Sequence, residues 1–141
     1  MLDENDLMEM VCSFLREKGY EIVSRCCTIE CGIDICAEKS STGERIEIET
    51  KGATSSRPGS ARFGKPYTQQ QVFHQVATGL YAVFQMKGKS KGNVRHALAL
   101  PDTELFHRFL APVEYALVNS GIGVLFVRSD GQVGVSGNFH L

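Results

Sequence analysis

Residues 45–51, Arg-Ile-Glu-Ile-Glu-Thr-Lys, alternate with period two, the spacing of a β-strand and not of a helix. Ile46 and Ile48 fall on one face, and Glu47, Glu49 and Lys51 fall on the other. A chain with this strand must bury the isoleucines in a core and also place a row of two acids and a lysine. A solvated sheet face is the simplest solution. A functional cleft is the other, and the surrounding sequence bears on the choice.

The 141 residues suit one domain spanning 1–141, and 43% hydrophobic with 22% charged residues is the balance of a globular chain with a core. No apolar run approaches a membrane span, and the acidic start MLDENDLMEM is unlike a signal peptide, so a cytoplasmic protein without membrane contact is expected. Five cysteines cannot all pair within one chain. The run Cys26, Cys27, Cys31 and Cys36 lacks the paired CxxC spacing of a zinc site, so buried strand thiols are expected.

The net charge of −1 conceals an asymmetry. Residues 1–49 carry twelve acids against five Lys or Arg, whereas residues 50–101 carry eight Lys or Arg and no acid. An acid-free basic stretch favours a polyanion partner, since neutralised phosphates release condensed counterions.

Residues 5–18 have helical spacing of apolar groups, with Asp3, Asn5 or Asp6 to cap the start and Gly19 to stop it. Three extended stretches follow, over 20–29, 33–39 and 45–51, the last two joined by a hairpin loop. Residues 52–66 are rich in Gly, Ser and Pro and read as a long loop. A second helix is predicted from Tyr67 to about Met86, packing through Val72, Val76, Leu80 and Val83 with Phe73 and Ala77. A strand over 94–101, a helical stretch broken near Pro112 and a hairpin about Asp130-Gly131 complete an α/β domain with a mixed sheet. His74, His96, His107 and His140 show no ligand spacing and are assigned no chemistry.

Alternation places Asp34 opposite Ile33 and Ile35, so a hairpin brings Asp34, Glu49 and Lys51 to one face. Two carboxylates about 5 Å apart repel by about 3 kcal/mol at an effective dielectric near 20, and a divalent cation turns that repulsion into a binding site. Carboxylates, a carbonyl and water suit Mg²⁺, and a nearby lysine can orient the attacking water or stabilise phosphate charge.

At "GID" and "EIETKG", preceded by "FLREKGYEIV", the sequence resembles the PD-(D/E)xK nuclease superfamily, nearest to Mrr-type restriction endonucleases and archaeal-type Holliday-junction resolvases. The resemblance covers roughly residues 5–85. It implies a restriction endonuclease-like αβββαβ core, followed here by a C-terminal helix and β-hairpin. It implies Mg²⁺-dependent hydrolysis of DNA phosphodiesters, with Mn²⁺ as a substitute cation. Asp34 and Glu49 would be metal ligands with the Thr50 carbonyl, and Asp34, Glu49 and Lys51 the catalytic set. The first-helix glutamate of such proteins falls at Met8, which cannot bind Mg²⁺. Glu4, one turn earlier, and Glu9 are accessory candidates, as are Gln71 and Gln75 on the second helix. Arg57, Arg62 and Lys65 are expected to contact DNA, and a homodimer is expected because cutting two strands asks for two sites. The competing reading is a non-catalytic nucleic-acid-binding module that keeps the fold.

Overall fold

The computed structural model describes residues 1–26, 32–137 and 139–141. Asp3 opens the fold: its carboxylate accepts from the Asp6 amide at 2.9 Å and caps α1, Glu4–Glu17. The helix stops at Gly19, whose φ of 89° lets Tyr20 N–H reach back to the Leu15 carbonyl. Strands β1 (Glu21–Arg25), β2 (Ile35–Lys39) and β3 (Glu44–Thr50) form an antiparallel meander. Helix α2 (Gln69–Lys89), held at its start by a reciprocal Thr68–Gln71 capping box, crosses to β4 (Val94–Pro101), which lies parallel to β3. Then come α3 (Glu104–Leu110), a 3-10 turn at Ala111–Val113 where Pro112 breaks the helix, and α4 (Glu114–Asn119). Strand β5 (Ile122–Val127) runs parallel to β4, and β6 (Val133–Val135) returns antiparallel.

The six strands lie side by side in chain order. The chain therefore has the expected mixed sheet, αβββαβ core, C-terminal helical stretch and hairpin. The candidate zinc residues Cys27 and Cys31 lie outside the described residues, while Cys12 and Cys36 are buried thiols. Among the described residues no helix is long and apolar enough to cross a membrane.

The two sheet faces carry two cores. Leu7, Met8, Val11 and Leu15 of α1 pack on Ile35, Ile46 and Ile48, with Ala97 and Ala99 leaving room for the helix. On the other face Val72, Val76 and Val83 of α2 meet Leu98, Leu100, Val124 and Phe126, joined by Phe106 and Leu110 of α3. Phe73 and Ala77 do not share that packed stripe. Both are exposed, and Gly79 occupies the seam instead. A Cβ on Gly79 would come within 2.9 Å of Leu98 Cδ1 and 3.2 Å of Lys51 Cγ, so a larger residue there would have to displace these side chains.

A second close approach seats α1. Leu2 accepts from the Ala53 amide at 2.8 Å, and Asp3 bridges to Thr54. A Cβ on Gly52 would stand 2.5 Å from Glu4 N and 2.8 Å from Asp3 C. The glycine thus lets the start of α1 rest on the end of β3. The 52–66 segment, expected to lack structure of its own, is folded on itself. Tyr67 N–H closes it onto the Ala53 carbonyl at 3.0 Å, and the buried Thr54 hydroxyl lies 2.9 and 2.7 Å from the Arg62 and Lys65 carbonyls. One hydroxyl organises what composition alone shows as irregular.

These contacts predict opposite outcomes for two substitutions. Gly52→Ala should destabilise the protein by about 2–3 kcal/mol, because the obstructing atoms are backbone. Gly88→Ala in α2, where no heavy atom lies within 4 Å, should stabilise it by about 0.5–1 kcal/mol through helix propensity. Urea midpoints of the two variants measure both, and a neutral Gly52→Ala would show that α1 is not seated there.

Candidate active site

Asp34 enters β2 opposite the end of β3, as the pairing of Ile35 with Ile48 requires. Its Oδ2 accepts from the Thr50 amide at 2.8 Å and from the Thr50 hydroxyl at 2.9 Å. Thr50 itself is fully buried. Lys51 Nζ donates to Glu49 Oε1 at 2.7 Å. Glu47 and Glu49 are only 7% and 8% exposed. The charged face of β3 is therefore not a solvated sheet face, since α2 lies across it.

Glu4, at the first turn of α1, belongs to the same group. Burial first, then the charges of Asp34 and Glu49, push its pKa up to about 7 against the opposing pull of Lys51. Burial and Asp34 raise Glu49 as well. Burial works against the Lys51 charge, but its hydrogen bond to Glu49 and the charges of Glu49, Glu4 and Asp34 overcome this and raise its pKa. The two partners of this ion pair thus shift in the same direction. Burial, then Asp34, raises Glu49, whereas Lys51 is raised by the three carboxyl groups that its one ammonium faces.

The other accessory candidates fare differently. Glu9 is engaged by Arg25 and lies 3.9 Å from Arg16, so its charge is matched elsewhere and it is not part of this group. Met8 is fully buried in the α1 core, a place that would penalise any carboxylate. Gln71 is committed to the cap of α2, where its Oε1 accepts from Thr68 N–H at 2.9 Å. Gln75 lines a groove of about 500 Å³ with Arg62 and Tyr67. Tyr67 adjoins the site, as the influence of Glu4 and Lys51 on its raised pKa, behind burial, makes clear.

Arg57 and Lys65 are exposed on the same folded loop as Arg62. A second basic group was not legible in the sequence as part of the site: Arg45, Lys89 and Lys91 line a cavity of about 620 Å³ that reaches Glu49. Arg95, by contrast, is spent on structure, bonding Glu44 at 2.7 Å and the His140 carbonyl, and lying over Phe139. His96 also acquires a partner, with Nε2 3.2 Å from Glu47 Oε1, and burial lowers its pKa.

Among the described residues no three His, Cys, Asp or Glu side chains form a ready-made metal cage. Asp34 and Glu49 offer two hard carboxylates, with the Thr50 carbonyl directly after Glu49 in sequence. Such a sparse oxygen set fits Mg²⁺, which binds through one or two carboxylates and keeps waters or substrate phosphates for the rest. It does not fit zinc, which takes four nitrogen or sulfur-rich ligands.

The sheet order and flanking helices are those of an endonuclease-like α/β fold. Its three-dimensional likenesses include an fdxN element excision controlling factor protein from Anabaena variabilis, with TM-score 0.54, 21% identity, and 92% of this chain and 96% of that one covered. A repair endonuclease from Pyrococcus abyssi matches with TM-score 0.50 and 18% identity over 91% of this chain. The chain spans about half of that enzyme, 48% of its length. At these identities the likeness establishes the fold. No protein-family model matches the sequence, and no curated protein matches it either.

The Glu4 environment sets a pH dependence. A carboxylate whose folded pKa is raised favours the fold below its unfolded pKa and loses that contribution as pH climbs through the folded value. Wild type should therefore lose stability relative to Glu4→Gln between pH 4.5 and about 7. Denaturant titrations across this window check the difference, which would stay flat if Glu4 were solvated.

Proposed function

We propose that the chain is a metal-dependent endonuclease that hydrolyses DNA phosphodiester bonds, and that residues 1–141 act as one restriction endonuclease-like domain of the PD-(D/E)xK type. The observation that carries this reading is the imbalance at the end of β3: a half-buried group in which three carboxyl groups, of Asp34, Glu49 and Glu4, face the single ammonium of Lys51. A purely structural ion pair needs no such imbalance, whereas a divalent cation corrects it. The fold shared with a protein described as a repair endonuclease, and with one described as an element excision controlling factor, supports the same direction.

In this reading Asp34 and Glu49, with the Thr50 carbonyl, hold Mg²⁺ or Mn²⁺, and Thr50 fixes the Asp34 rotamer through its amide and hydroxyl. When bound, the cation supplies Lewis acidity toward the phosphate and a lowered pKa for a coordinated water. Lys51, held close by Glu49 and kept protonated, stabilises the charge that grows on the phosphate oxygens. Glu4 orients water or accepts its proton. Water adds across one P–O bond, leaving a phosphate monoester and a hydroxyl. Arg57, Arg62 and Lys65 hold the DNA backbone.

Two experiments test the reading. Plasmid, branched and single-stranded DNA incubated with Mg²⁺ should be cut, and EDTA should stop the reaction. Lys51→Ala and Asp34→Asn should each lower the cleavage rate by about 10²–10³-fold or more. Asn is preferred over Ala at 34 because Ala would strand the buried amide and hydroxyl of Thr50, at about 1–3 kcal/mol. DNA bound by wild type but never cut with either metal would instead favour the binding module.

Replacing Arg57, Arg62 and Lys65 together by Ala should weaken binding to every sequence alike. It should flatten the plot of log affinity against log salt by about 0.9 for each B-DNA phosphate that the loop no longer neutralises. An unchanged slope would remove this loop from the interface.

A further inference from the structure

The cavity beside Glu49 contains chemistry that the hydrolytic reading leaves unused. It opens between the first half of β3 and the C-terminal half of α2, with Arg45, Lys89 and Lys91 at its rim and Met86 and Val94 as apolar walls. Within this basic rim lies Glu47, only 7% exposed. Burying a carboxylate is costly unless it is held, and Glu47 is held twice. Arg45 Nη2 reaches its Oε2 at 3.5 Å, and His96 Nε2 stands 3.2 Å from its Oε1.

An ionised carboxylate can only accept, so the hydrogen between them sits on His96 Nε2 and leaves Nδ1 as a bare acceptor. That Nδ1 is the sole buried side-chain polar atom without a hydrogen-bond partner among the described residues. The result is a carboxylate fixed at both oxygens and lining a cavity of about 620 Å³, one strand-face step, about 7 Å, from Glu49.

Resting on the endonuclease reading, we infer that this cavity is a base-binding subsite for an unpaired nucleotide next to the cut phosphate, with Glu47 accepting from the base's amino group and Lys89 and Lys91 holding the adjoining phosphate. A base can turn its hydrogen-bonding edge into such a cavity only when unpaired or extruded, which selects single-stranded or branched DNA over intact duplex. Cytosine, adenine and guanine each present an exocyclic amino group to an acceptor. Thymine presents one ring N–H between two carbonyls, and those carbonyls repel a carboxylate. The subsite therefore discriminates against thymine.

The test uses dCMP, dGMP, dAMP and dTMP titrated in EDTA into isotope-labelled protein, so that neither metal nor cleavage is involved. Backbone amide shifts report the site. The amino-bearing nucleotides should perturb amides around Glu47, Met86 and Val94, with dTMP about tenfold weaker. Glu47→Gln, which keeps the shape and offers both donor and acceptor, should bring dTMP to parity. Lys89→Ala and Lys91→Ala, both on exposed positions, should weaken all four nucleotides alike and keep the preference. Equal binding of all four to wild type, or shifts confined to another surface, would overturn the subsite while leaving DNA cleavage intact. Nucleotide preference with no cleavage of any DNA would uphold the subsite and discard the endonuclease.

Discussion

Strand β3 lies between β2 and β4 with helices over both faces, yet four of its seven residues ionise. Burying such a strand is possible only if each charge meets a partner, and most do. Glu44 accepts from Arg95 at 2.7 Å and from the Tyr20 hydroxyl at 2.9 Å. Arg45 lies 3.3 Å from Glu38 and 3.5 Å from Glu47, which also meets His96. These pairs offset desolvation more than they add stability. The matching fails at one place, the C-terminal end of the strand, where Glu4 and Asp34 join Glu49 against Lys51 alone. The fold balances its charges along β3 and leaves an excess of carboxyl groups at one end.

How much of this was legible in the sequence depended on the range of the interaction. The period-two alternation of β3 and the Gly19 stop are local, and the sequence shows them directly, whereas it narrows the cap of α1 only to Asp3, Asn5 or Asp6. Asp34, Glu49 and Lys51 converge through one short hairpin, so their shared face could be read from alternation on both arms. Glu4 could not be separated from Glu9 in that way. The choice is made by Gly52, which lets the start of α1 rest on the end of β3, and by Arg25 and Arg16, which draw Glu9 away. Glu47 and His96 stand 49 positions apart and meet only because β3 and β4 pair in parallel. Phe73 and Ala77 fit a helical stripe as well as Gly79 does, and periodicity gives no reason to prefer a glycine as the contact.

Helix α2 organises the surface around the site because it runs the length of β3 in the opposite sense. Its first turns line the groove that contains Arg62 and Tyr67, and its last turns line the cavity with Lys89. Gly79, between them, lies against Lys51. From Gln71 to Lys89 this axis extends about 27 Å. Positive side chains thus occupy both ends, and the carboxylates occupy the middle.

That arrangement would repel a nucleic-acid backbone at the very point where its ends attract it. Each net negative charge about 6 Å from a phosphate opposes it by about 3 kcal/mol at an effective dielectric near 20. The flanking basic groups are exposed and screened by salt, so they cannot offset such a term alone. A divalent cation held by Asp34 and Glu49 would change the sign of the balance, because it would offset the carboxylate charge. On the endonuclease reading, metal and DNA are therefore coupled ligands of one site. On that same reading, the acids that would make the centre hostile to DNA without a cation are the groups that would make it reactive with one.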